Sequence, residues 1–151
     1  MDDLVAKAST SISAPVSKVW DALVNPAIIR QYMFGTNVTS EWKEGSPISW
    51  KGEWKGQAYE DKGAILKLRP EKLLQYSHYS PLMGKPDKPE NHHTVTIELS
   101  SGSGGTQVVL TQDNNATEEA KQHSQENWEM MLSGLKKLLE SAQPGDVRAG
   151  R

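Results

Sequence analysis

The residues that could carry metal or thiol chemistry in this chain are few, and their spacing limits them. His92 and His93 are adjacent, so in a strand they point to opposite faces and cannot chelate one ion together. Neither histidine belongs to the HExxH spacing of zinc enzymes. The chain has no cysteine, which excludes thiolate nucleophiles, disulfides and cysteine-based metal sites. We therefore expect no metal site and no cofactor.

Motifs for acyl transfer and phosphate binding are also missing from the sequence. No serine has the flanking glycines of the Gly-x-Ser-x-Gly nucleophile elbow. The stretch "SGSGG", residues 101–105, precedes a run of strand-like residues and is not followed by lysine, so it predicts a hairpin turn rather than a phosphate-binding loop. We identify no catalytic residue from these motifs, and their absence favours a binding protein over an enzyme.

Three tryptophans stand close together in "SEWKEGSPISWKGEWKG", residues 40–56. Side chains at alternate positions of a strand share one face, so Ile48, Trp50, Gly52 and Trp54 face one way while the polar residues between them face the other. Glycine leaves a gap between the two rings on this inward face. The gap is either a tight packing contact or one wall of a cavity.

Composition and charge limit the class of protein. A chain of 151 residues is long enough for one domain, which we place at 1–140. The net charge of −2 gives no electrostatic footprint for nucleic acid or an anionic membrane. The start "MDDLVAKAST" lacks signal-peptide features, and no apolar window is long enough to insert into a membrane. We expect a cytoplasmic protein.

Hydrophobic periodicity predicts one strand, two short helices, a strand meander and a long helix. The helices are expected at 15–24 and 26–33, where Pro15 and Asn25-Pro26 are start signals. The six later strands are predicted at about 37–42, 47–54, 57–69, 72–79, 92–100 and 105–113.

The last predicted helix begins at the N-cap residue Thr117 and ends near Glu140, with an apolar stripe along one face. Residues 141–151 are expected to be a disordered tail. The loop at 80–91 is too long for a hairpin turn, and its Leu82-Met83 pair would either cap the core or form a lid.

Two polar residues are predicted to face the core with their apolar neighbours. His93 shares a strand face with Val95 and Ile97, and Gln112 shares one with Leu110. Each needs a hydrogen-bond partner, because an unsatisfied buried polar group costs about 1–3 kcal/mol.

In this order the motifs "SISAPVSKVWDAL", "SEWKEGSPISWKGEW" and "HSQENWEMMLSGLKKLLE" resemble the START-related helix-grip superfamily. Within it the chain resembles the activator of heat-shock-protein-ninety ATPase homologues, over about residues 8–140. The resemblance implies an α+β fold. In that fold a curved seven-stranded antiparallel sheet wraps around the long C-terminal helix, with two short helices after the first strand and a cavity between sheet and helix.

The cavity implied by this resemblance would bind a small hydrophobic or lipid-like ligand, and aromatic side chains would form its walls. We expect it to be lined by Trp50, Trp54, Tyr76, His78, Ser124, Trp128 and Met131. Near its entrance we expect Trp20, Tyr32 and Phe34.

Two other functions stay open at this point. The first is a co-chaperone that activates a chaperone ATPase through protein contacts. Eukaryotic activators join this domain to a separate N-terminal domain, for which the sequence leaves no room before the first strand. The second is an enzyme of the polyketide cyclase or dehydratase type, with His78, Tyr76 or His93 as its acid-base group.

Overall fold

The first strand and two short helices follow the predicted pattern. In a computed structural model that describes residues 4–33, 35–54, 56–80, 86, 88–102 and 104–141, strand β1 (Ala6–Ile12) buries alternate small and apolar residues. Helices α1 (Val16–Val24) and α2 (Pro26–Tyr32) come next. The side chain of Asn25 accepts a hydrogen bond from the backbone N–H of Ala27 at 3.1 Å, so the predicted cap is present.

Six more strands complete one antiparallel sheet. They are β2 (Asn37–Ser40), β3 (Pro47–Trp54), β4 (Gln57–Arg69), β5 (Leu73–His78), β6 (His93–Gly102) and β7 (Gly105–Gln112). Their order across the sheet is β1-β7-β6-β5-β4-β3-β2, so six strands form a meander and the first strand pairs with the last. The predicted seven-stranded antiparallel sheet is confirmed.

The long helix α3 (Glu118–Ser141) packs mainly against β1 and α2. Its buried face carries Met131, Leu132, Leu135 and Leu139, which recur at helical spacing. The predicted cap is present, because the Thr117 hydroxyl accepts a hydrogen bond from a backbone N–H of the first turn at 3.0 Å. These elements share one hydrophobic core, and the α+β helix-grip fold is confirmed.

Glu140 and Lys136 fasten the C-terminal end of α3 to the sheet. The carboxylate of Glu140 accepts hydrogen bonds from the backbone N–H of Ser13 at 2.9 Å and from Nζ of Lys136 at 2.7 Å. Nζ of Lys136 also donates to the carbonyl of Ser11 at 2.6 Å. The hydrogen bond from Lys136, followed by that from Ser13, lowers the pKa of Glu140.

The gap beside Gly52 is a packing contact rather than a cavity wall. Gly52 pairs with Tyr59 of β4, and a Cβ built on the glycine would lie 2.6 Å from the tyrosine hydroxyl oxygen. That hydroxyl is 2.5 Å from Oγ1 of Thr36, whose own proton goes to the carbonyl of Met33. The tyrosine ring therefore fills the space that the glycine leaves.

Some sequence predictions fall on parts of the chain that lie outside the described residues. These are the placement of Phe34, the Leu82-Met83 pair, the side chain of Trp54 and the tail beyond Ser141. Within the residues that the structure covers, no helix is long and apolar enough to cross a membrane.

Candidate functional site

A small apolar pocket lies between the sheet and helices α2 and α3. The volume open to the centre of a water molecule is about 30 Å³. The pocket is lined by Leu23, Ile29, Tyr32, Met33, Val38, Trp42, Ile48, Trp50, Leu74, Tyr76, Ile97, Trp128 and Met131. Every one of these side chains is aliphatic, aromatic or a thioether, and the tyrosine hydroxyls and indole N–H groups are their only polar atoms.

Strand parity and helical spacing bring the walls of the pocket together. Trp50 of β3 and Tyr76 of β5 are both buried on the inner face of the sheet, with ring centroids 5.1 Å apart. Trp128 and Met131 are three residues apart on α3, so they lie on the same face of the helix. All four were predicted from the sequence, and all four line the pocket.

Three of the side chains that line the pocket are only partly buried. They are Met33 just after α2, Trp42 between β2 and β3, and Trp128 of α3, and we call them the mouth. Trp42 lies in the turn between β2 and β3 with a φ of 56°, a conformation that is uncommon for a bulky residue. Its backbone N–H donates to the hydroxyl of Ser40 at 3.0 Å. Strand β2 ends at Ser40, two residues before the predicted end. Trp42 therefore lies outside the strand, and its side chain packs against the core.

Two buried tyrosines supply the polar atoms of the inner wall. The hydroxyl of Tyr32 donates to the carbonyl of Ala22 at 2.7 Å. Burial raises the pKa of Tyr32 and of Tyr76, and the proximity of Tyr76 raises that of Tyr32 further. Both therefore remain neutral hydrogen-bond donors, and the Tyr76 hydroxyl has no hydrogen-bond partner among the described residues.

A polar network borders the pocket at Trp128. The indole Nε1–H of Trp128 donates to Oε1 of Gln112 at 2.5 Å. Ser124 donates to Oδ1 of Asn115 at 3.1 Å, and the amide of Asn115 donates to the carbonyl of Gln112 at 3.0 Å. The predicted inward position of Gln112 is confirmed, and its partners satisfy a buried amide. Ser124 holds this network and is not among the residues that line the pocket.

An acid-base cluster lies next to Trp50, outside the pocket lining. Nε2 of His78 is 2.9 Å from Oδ2 of Asp61, and the imidazole contacts the Trp50 ring edge-on at 5.0 Å between centroids. The His93 ring is 6.3 Å from that of His78, and its Nδ1 bonds to the carbonyl of Asp113 at 2.9 Å. His78, which the sequence predicted to line the pocket, is not among the lining residues and contacts the lining residue Trp50.

Asp61 and Trp42 were missed by the sequence analysis. Asp61 lies opposite Trp50 in the β3–β4 register, so it shares the inner face. Counting back in steps of two from the buried Ile65 would have placed Asp61 inward. Of the residues expected at the entrance, Tyr32 lines the pocket, while Trp20 packs elsewhere on the core.

In the described residues there is no group of three or more metal-ligating side chains.

The fold and this site can be compared with known proteins. The family model described as activator of Hsp90 ATPase homolog 1-like protein matches residues 13–140. No curated protein sequence matches the chain.

Solved structures share the fold over nearly the whole chain. The solution structure of ChR145 from Cytophaga hutchinsonii is 61% identical, with a TM-score of 0.82, and the match covers 93% of this chain and 97% of that one. The crystal structure of MLL2253 from Mesorhizobium loti is 20% identical, with a TM-score of 0.76 and coverage of 92% and 98%. The Aha1 dimer from Colwellia psychrerythraea is 21% identical, with a TM-score of 0.70 and coverage of 90% and 96%.

The family match spans most of the chain, and the fold, with a long helix packed on a seven-stranded antiparallel sheet, agrees with it. This chain belongs to the family of activator of Hsp90 ATPase homolog 1-like proteins.

Proposed function

We propose that the protein is a binding module that holds a small apolar molecule in the pocket between the sheet and α3. The observation that carries this proposal is the lining, in which aromatic rings from β3, β5 and α3 meet around one space. Ligand pockets are typically apolar with a few placed polar groups. The hydroxyl of Tyr76 would supply such a group, since it has no hydrogen-bond partner among the described residues.

The size of the pocket limits how a ligand enters. At about 30 Å³ it has room for about two water molecules, whereas a cavity that binds benzene measures about 150 Å³. An aromatic ligand must therefore displace side chains. The mouth residues Met33, Trp42 and Trp128 are the ones to move, because they are partly exposed and come from three different elements.

The proposal can be tested with indole as the probe. We expect indole to shift the indole N–H signals of Trp50 and Trp128 in a ¹⁵N-labelled sample. Leu74→Phe should weaken binding at least about tenfold, because Leu74 is buried and lines the pocket, and a larger side chain fills it. Leu73→Phe is the matched control, since Leu73 is the adjacent residue on the opposite face of β5.

Two results would contradict the proposal. One is a set of indole-induced shifts scattered over the surface with none at Trp50 or Trp128. The other is unchanged binding by a Leu74→Phe variant whose spectrum shows that it is folded.

The small pocket volume favours a second candidate function, stimulation of a chaperone ATPase through protein contacts, in keeping with the family's name. A pocket this small needs no ligand to fill it, and the core would then only support an outer binding surface. Adding the protein to an Hsp90-type chaperone should raise its ATPase rate, and Leu74→Phe should leave that stimulation unchanged. No stimulation at saturating protein would exclude this function.

A further inference from the structure

The carboxylate of Asp61 forms a hydrogen bond with one histidine, His78. Its Oδ2 bonds to Nε2 of His78 at 2.9 Å, and its Oδ1 is buried without a partner among the described residues. The side chains of Asp61 and His78 are 17% and 28% exposed, so the pair is partly buried and still reached by solvent. Within the part of the chain that the structure describes, His78 is the single hydrogen-bond donor to Asp61.

This bond determines which nitrogen of His78 carries the proton. A carboxylate only accepts hydrogen bonds, so Nε2 of His78 is the N–H donor and Nδ1 holds the lone pair of the neutral ring. Nδ1 has no partner among the described residues. A histidine held by a carboxylate at one nitrogen and available at the other can take up a proton and return it.

The surroundings of His78 suit an aromatic or apolar substrate. Trp50 lies against the imidazole on one side and lines the apolar pocket on the other. His93 lies on the neighbouring strand, directly opposite His78 in the register. Because Nδ1 of His93 donates to a carbonyl, its Nε2 is an acceptor that can orient a hydroxyl or amine of the substrate.

We propose that His78 is a general acid-base residue and that Asp61 is its positioning residue. The substrate would be an apolar molecule with an activated C–H or O–H bond, whose apolar part lies against Trp50 at the border of the pocket. That bond breaks, its electron pair stays on the substrate, and the proton adds to Nδ1 of His78. The resulting imidazolium is stabilised by the Asp61 carboxylate. The placement of the apolar part rests on the proposed binding function.

The test uses the base-promoted ring opening of 5-nitrobenzisoxazole, a small aromatic probe. A base removes the C–H proton, the electron pair of that bond forms the nitrile, and the N–O bond breaks with its pair going to oxygen, which gives the single coloured product 2-cyano-4-nitrophenolate. We expect wild type to accelerate this reaction and His78→Ala to lower kcat by about 100-fold, which is the typical contribution of general acid-base catalysis. The dissociation constant of the probe, measured by NMR, should stay unchanged.

Asp61→Asn is expected to lower kcat because it changes which nitrogen of His78 carries the proton. An amide can donate to Nε2, which would move the ring proton to Nδ1. The ¹⁵N shifts of His78 should report this exchange, a change that a loss of stability alone does not produce. Asp61→Glu should recover part of the activity. His92→Ala is the control, since His92 stacks on Tyr79 rather than on this cluster.

The outcomes separate this inference from the proposed binding function. Equal rates for folded wild type and His78→Ala overturn the inference, whether or not the probe binds. Turnover that depends on His78 but not on Leu74→Phe supports the acid-base pair and contradicts the pocket. Binding at Trp50 without His78-dependent turnover supports the pocket alone.

Discussion

Replacing Gly52 by alanine should destabilise the protein, although alanine is normally the better strand residue. Gly52 does not have a positive φ, so its backbone does not require glycine. The cost comes from space, because the added Cβ would lie 2.6 Å from Oη and 2.8 Å from Cζ of Tyr59. The ring must move, and its hydroxyl must leave the 2.5 Å hydrogen bond to Thr36.

The magnitude follows from three contributions. Overpacking costs about 1–3 kcal/mol, and losing the hydrogen bond costs about 0.5–1.5 kcal/mol. Replacing glycine in a strand returns about 0.5–1 kcal/mol. Gly52→Ala should therefore lower the free energy of unfolding by about 0.5–4 kcal/mol, with about 2 kcal/mol as the central value, and Gly52→Leu by more.

The assay is urea denaturation of a double-mutant cycle with Tyr59→Ala. Without the tyrosine ring, Gly52→Ala should be neutral or stabilising, so the two sites should couple by about 1.5–4.5 kcal/mol, the overpacking cost and the lost hydrogen bond together. The reasoning is refuted if Gly52→Ala is harmless in wild type. It is also refuted if the loss is the same with and without Tyr59.

Three further predictions concern single contacts. Trp128→Phe should cost about 1–3 kcal/mol in denaturant unfolding, because it leaves the buried oxygen of Gln112 without its donor. Gly63→Ala should cost more than Gly52→Ala by the same assay, since its Cβ would overlap the backbone carbonyl oxygen of Ser77, which cannot rotate away. Glu140→Gln should lower stability at pH 7 and have little effect at a pH below the folded-state pKa of Glu140. The hydrogen bond from Lys136 lowers the pKa of Glu140 from its ordinary value, so this contribution is present above that ordinary value and is lost as the pH falls through the folded-state pKa, which thermal melts across pH would show.

The fold was predictable because its signals are local. Alternation in β3 and β4, the Asn25 cap and the apolar stripe of α3 each depend on neighbouring residues, and β3 and β4 match the predicted bounds. The sequence left open whether Gly52 borders a cavity or a packing contact, and the ring that fills the gap comes from Tyr59 on the next strand. The contact between Gly52 and Tyr59 depends on the register of the β3–β4 pair.

The site was only partly predictable for the same reason. Trp50, Tyr76, Trp128 and Met131 follow from which face of an element is apolar. The bond between Asp61 and His78 joins residues on two strands, and neither residue is marked by its sequence neighbours. The position of Trp42 in the pocket lining was not predicted, because it depends on a positive φ that the sequence pattern does not indicate.

The pairing of β1 with β7 affects how the protein can fold during its synthesis. Ala6 lies opposite Gln112, so the earliest strand to leave the ribosome has no partner until the latest strand follows it. Such distant pairing is slow to form, because a long loop must close before any contact offsets its entropy. The nascent meander can form its hairpins in turn, but β1 stays an unpaired edge, open to other chains, until the C-terminal third has been made.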